Sequence, residues 1–72
     1  MERQSIFDSS EIVSVGYDKP SRVLEIEFPG NRVYQYKDVP EEVYRNLMDS
    51  GEFTDRFFAE DIQYAYEYSR IK

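Results

Sequence analysis

Leu24-Glu25-Ile26-Glu27-Phe28-Pro29-Gly30-Asn31-Arg32-Val33-Tyr34-Gln35-Tyr36 describes a β-hairpin in its residue types alone. Residues 24 to 28 alternate strictly between apolar and charged, the period-two pattern of a strand with one dry face and one wet face. Pro29 sets φ and Gly30 frees it, so the chain can reverse into a second β-prone run. Loop length then decides which side chains share a face. With Pro29, Gly30 and Asn31 as a three-residue connection, Phe28 lies opposite Arg32, Ile26 opposite Tyr34 and Leu24 opposite Tyr36. A two-residue loop would place Ile26 opposite Gln35 and divide the apolar set between both faces, so that register is rejected. The retained register leaves Val23, Glu25, Glu27, Val33, Gln35 and Lys37 on the other side, a mostly polar surface. The sheet is therefore expected to be covered on one face.

Working outward, the chain has 72 residues, enough for one small domain with little surplus core. It contains no Cys and no His, which excludes thiol redox chemistry, thiolate or imidazole metal sites, Ser-His-Asp triads and Cys-His pairs. Seven Tyr and five Phe must carry much of the packing, with the Tyr hydroxyls at the core's edge or hydrogen-bonded. The formal charge of -6 disfavours generic adhesion to nucleic acid or an anionic membrane. No apolar run approaches a membrane span and Met1 to Gln4 lack the make-up of a secretory signal, so a cytoplasmic location is the default expectation.

Before the hairpin, residues 1–8 read as a flexible leader, with Phe7 a candidate to tuck against the sheet. Residues 9–72 read as a single domain. Val13, Val15 and Tyr17 alternate as the inward face of a first strand, with Ile12, Ser14 and Gly16 outward and Gly16 marking a bulge or a close approach. Asp18 to Ser21 is a turn. After the hairpin, Pro40 suits the first position of a helix over about residues 40 to 50, with Glu41 and Glu42 at its positive end. Val43, Tyr44, Leu47 and Met48 form its apolar stripe, and Gly51 stops it. Phe53, Phe57, Phe58 and Ile62 are helically spaced and predict a second short helix or helical turn. Ala65 to Ile71 alternate as a last strand, whose inward set is either Tyr66 with Tyr68 or Ala65, Ser69 and Ile71. The predicted fold is α+β, an antiparallel β-sheet with order β-β-β-α-α-β and its helices packed on one face.

As an ordered set, several of these residues resemble the KTSC domain, a small domain named for its occurrence at the C-terminus of some lysyl-tRNA synthetases. The set comprises Ser9-Ser10, Val15-Gly16-Tyr17-Asp18, Leu24 to Phe28, Gly30, Tyr34-x-Tyr36, Val39-Pro40, Val43-Tyr44, Leu47-Met48, Phe57-Phe58, Ile62 and Tyr66-x-Tyr68-x-Arg70-Ile71. The resemblance covers roughly residues 9 to 71. It implies a small domain that also occurs on its own in bacteria and phages, and RNA binding by way of the synthetase context. Ala59 and Gln63 depart from the pattern, standing where members tend to carry Asn and a basic residue, so charge that would favour RNA is missing here.

Tyr34 and Tyr36 are the type of aromatics that stack bases on a sheet, but the register assigns them to the core under the first helix. Tyr64, Tyr66, Tyr68, Arg70 and Lys72, with Arg45 or Arg56 beside them, form the candidate binding patch. Tyrosine with arginine is the composition of protein-interface anchors, and equally of a last strand with solvated arginines. The carboxylates Asp38, Glu41, Glu42, Asp49, Glu52, Asp55, Glu60 and Asp61 lack the spacing of a metal-binding loop and read as solvated surface. The expectation is a non-enzymatic intracellular binding module without a cofactor. Its first-ranked partner is a protein, including a homo-oligomer formed by edge-strand pairing; RNA, with tRNA the obvious ligand, is second, and no membrane is expected.

Overall fold

A computed structural model describes residues 3–6 and 9–72. Five strands, β1 (Arg3–Ser5), β2 (Ser14–Asp18), β3 (Val23–Phe28), β4 (Arg32–Tyr36) and β5 (Tyr68–Arg70), form one antiparallel sheet in the order β1-β2-β3-β4-β5. Two helices, α1 (Glu41–Met48) and α2 (Thr54–Asp61), separated by a 3₁₀ turn over Gly51–Phe53, lie on one face. The expected β-β-β-α-α-β order is present from β2 onward. Arg3–Ser5, inside the stretch read as a leader, adds a border strand paired with β2. Phe7 lies outside the described residues.

The central hairpin has the register that its side chains require: Leu24 opposite Tyr36, Ile26 opposite Tyr34 and Phe28 opposite Arg32. Gly30 and Asn31 both take positive φ, at 84° and 60°, which closes the three-residue turn. Val15, Leu24, Ile26 and Tyr36 from the sheet meet Leu47, Phe58 and Ile62 from the helical layer in one buried cluster. Tyr44 of α1 stacks on Tyr17 with ring centroids 4.9 Å apart, and the Tyr17 hydroxyl donates to the Val39 carbonyl at 2.5 Å. These contacts seat α1 over β2. Pro40 is the N-cap residue rather than the first helical one, and its carbonyl accepts the Val43 and Tyr44 amides.

Two expectations about β2 are corrected. Ile12 is 2% exposed and part of the core, whereas Val13 is 41% exposed. The Val13 amide bonds to the Glu27 carbonyl although Ser14 is the residue opposite Glu27, so two residues face one. That bulge slips the alternation by one position and sends Ile12, not Val13, to the side of Val15. The bulge lies at Val13–Ser14, and Gly16 takes the other role read for it, a close approach, here by Arg3.

The outer face of the sheet is also less wet than expected. Arg3, Gly16, Glu25 and Gln35 lie in one cross-strand row. Because Gly16 has no side chain, Arg3 reaches across it to Glu25 at 3.3 Å, and Gln35 donates to the same carboxylate at 3.0 Å. In the neighbouring row Ser14 donates to Glu27 at 2.8 Å. Ser14, Glu25 and Val33 are all buried on this side.

Candidate binding site

The hairpin, α2 and β5 bring five aromatic rings into a closed circuit. Successive centroids lie 5.5 Å apart for Phe28–Tyr34, 5.7 Å for Tyr34–Tyr68, 5.5 Å for Tyr68–Tyr36, 5.6 Å for Tyr36–Phe58 and 5.6 Å for Phe58–Phe28. The sequence builds this circuit through register: Phe28 and Tyr34 come from the same face of the hairpin, Tyr68 lies opposite Tyr36, and Phe58 descends from α2. Edge-to-face and tilted contacts of this kind each add to what burial alone contributes. A cleft of about 320 Å³ opens beside the circuit, with Glu11, Arg32, Gln63 and Tyr64 completing its wall.

Within the wall, burial differs sharply. Tyr36 is 3% exposed, and desolvation, with Tyr68 and Tyr34 nearby, pushes its hydroxyl pKa up to about 12. It therefore stays protonated at neutral pH and offers a hydrogen bond rather than a base. Tyr34 is half-buried and packed on the core, as the register requires. Tyr64 and Tyr68, by contrast, are 88% and 56% exposed.

The border strand beside the cleft carries positive charge. Arg70 lies opposite Tyr34, and its Nε donates to the Lys72 carbonyl at 3.1 Å. The Val33 carbonyl accepts the Ile71 amide at 2.8 Å, while the Val33 amide donates to the Lys72 carbonyl at 2.9 Å, so a second bulge ends β5 and holds the Lys72 backbone opposite Val33. Among the described residues Arg32, Arg70 and Lys72 form no ion pair. The opposition of Tyr36 to Tyr68 also settles the inward set of the last strand: Tyr68 and Arg70 share the helix side and Ser69 faces outward.

Of the candidate patch, Tyr64 and Tyr68 thus line one cleft with Arg70 on the adjoining strand. Tyr66 is half-buried and packs against the core instead. Arg45 and Arg56 sit on the helices, paired with Glu41 at 3.1 Å and Glu60 at 3.0 Å, and Arg56 lines a different cleft, of about 500 Å³, with Phe53 and Phe57. Arg32 and Phe58 were not singled out as site residues. Arg32 had a visible signal, since its opposition to Phe28 places it on the aromatic face. Among the described residues no group of carboxylates could hold a metal ion, and no helix is long and apolar enough to cross a membrane.

The model of the KTSC domain matches residues 8–68. The chain belongs to the KTSC domain family. The crystal structure of a KTSC domain protein from Yersinia pestis shares the fold with a TM-score of 0.90 at 39% identity, covering 99% of this chain and 97% of that one. An uncharacterized protein of Stutzerimonas stutzeri is 35% identical over 63 residues, spanning 88% of this chain and 89% of its own. A protein of Tsukamurella paurometabola is 40% identical over 50 residues, 69% of this chain and 73% of its own. The KTSC match takes in the hairpin, both helices and the start of β5, hence every ring of the aromatic circuit.

Proposed function

We propose that this KTSC domain is a non-enzymatic intracellular binding module for a protein partner, engaged at the aromatic cleft and the open border strand β5. The observation that carries this reading is the pair of exposed tyrosines, Tyr64 and Tyr68, standing over a cleft floored by buried rings. Large rigid aromatics at the mouth of a recess with an aromatic floor and a polar wall, with arginine alongside, are what protein interfaces use as anchors. The Tyr36 hydroxyl at the cleft, held protonated, suits recognition rather than proton transfer. A photo-crosslinking residue in place of Tyr64 should give a discrete protein adduct in native lysate, while the same residue in place of Glu42 on α1 gives none. Equal labelling at both positions, or none at Tyr64, overturns the reading.

RNA binding is the second reading, favoured by Arg32, Arg70 and Lys72 having no acidic side-chain partner among the described residues, with Arg32 lining the same cleft as the stackable tyrosines. Its signature is a titration with tRNA in which the amides of residues 68 to 70 shift at low salt and return as salt is raised. A spectrum unchanged by tRNA at low salt rejects it.

A further inference from the structure

Resting on the reading of β5 as a contact strand, we infer that its partner is a second copy of this chain, paired antiparallel about Ser69. Strand β5 bonds to β4 through Glu67 and Ile71: the Glu67 carbonyl accepts Lys37 and the Ile71 amide donates to Val33. By alternation Ser69 also faces β4, so the amides and carbonyls of Tyr68 and Arg70 point to the open border. A strand added there must bond to those two residues.

Tyr68-Ser69-Arg70 is self-complementary in that position. Antiparallel pairing centred on Ser69 sets Tyr68 opposite the partner's Arg70 and Arg70 opposite the partner's Tyr68, each pair exchanging two backbone hydrogen bonds. Tyr68 and Arg70 share the helix side of the sheet. Each Arg70 guanidinium is then flanked by its own Tyr34 and the partner's Tyr68, a cation between two aromatic neighbours. Centring on Arg70 would oppose two guanidinium groups, and centring on Tyr68 would use Tyr66, which lies outside the strand. Only the register about Ser69 matches all three extended residues with an extended residue.

Three-residue strands bury little, so the dimer belongs to the weak class of contacts, below ~1,200 Å². Each copy also carries a charge of -6, a repulsion that salt screens. Added salt therefore strengthens this dimer, whereas it would weaken docking of an acidic partner on Arg70 and Lys72.

Sedimentation velocity from about 10 micromolar to about 1 millimolar protein should show a shift from monomer to dimer, with dimer the largest species. Arg70→Glu should weaken it by about tenfold, while Tyr68→Glu, which sets a carboxylate opposite Arg70, keeps it. Both substitutions are at exposed positions, and unchanged far-UV dichroism shows that the fold persists. A monomer at every concentration, a larger assembly, or equal loss in the two variants overturns the inference. A monomer that still crosslinks to another protein from position 64 leaves the broader binding function standing while removing the second copy as its partner.

Discussion

Gly16 allows a charge to be buried on the outer face of the sheet. Arg3 crosses it to reach Glu25, and any larger side chain would stand in that path. Gly16→Leu should destabilise the fold by about 1–3 kcal/mol in urea melts, because Glu25 stays buried without its cation. Adding Arg3→Ala to Gly16→Leu should then cost almost nothing more, the mark of a shared interaction. Arg22 has φ at 57°, a conformation that costs a non-glycine residue about 1 kcal/mol. Arg22→Gly is expected to raise stability by about 0.5–1 kcal/mol in the same melts. Asp55 sets the pH dependence. Desolvation pushes its carboxyl pKa upward, but donors from Ser9, Ser10 and Glu11 together outweigh it and hold the value below the usual 3.8. The unfolded chain therefore binds the proton more readily. The stabilisation is complete above the unfolded value and is lost as pH falls through the folded one. Asp55→Asn should lower stability at pH 7 and flatten the acid limb of a melting-temperature profile taken between about pH 2 and 5.

At the scale of elements, α1 sends a single side chain fully into the core. Leu47 is fully buried where α1 meets the sheet, between the half-buried Val43, Tyr44 and Met48. Leu47→Ala should cost about 2–5 kcal/mol, read as a lower denaturant midpoint with an unchanged slope. This helix was legible in the sequence, since its stripe and proline start are local features. So was the hairpin, because a three-residue turn is the one that keeps Leu24, Ile26, Tyr34 and Tyr36 together. The start of β2 was not. A bulge at Val13–Ser14 leaves no residue type to announce it, and Ile12 and Val13 are interchangeable in propensity. Border strand β1 escaped for a related reason: Arg3, Gln4 and Ser5 show no apolar alternation, and their pairing rests on backbone bonds and one ion pair.

Across the whole molecule, charge is divided between layers. Seven carboxylates fall between Glu41 and Asp61, where Arg45 and Arg56 are both held in ion pairs along their own helices. Arg32, Arg70 and Lys72 gather instead on the last two strands. The acidic total visible in the composition conceals this division, because only the pairing of β4 with β5 brings residues 32, 70 and 72 together. The candidate site was half legible for the same reason: Tyr64, Tyr68 and Arg70 lie close in sequence, but the floor they stand over comes from three other elements.

The strand order has a mechanical outcome. With β1 and β5 on opposite borders, the two ends of the folded chain attach four interstrand spacings apart, about 19 Å measured across the ladders. Because four antiparallel steps leave β1 and β5 parallel, tension at those ends pulls obliquely across the ladders, and the two short border strands, each held by a single neighbouring strand, part first. The domain should yield to a molecular tweezer at low force, from its margins inward, and be easily threaded by any machine that pulls on either tail.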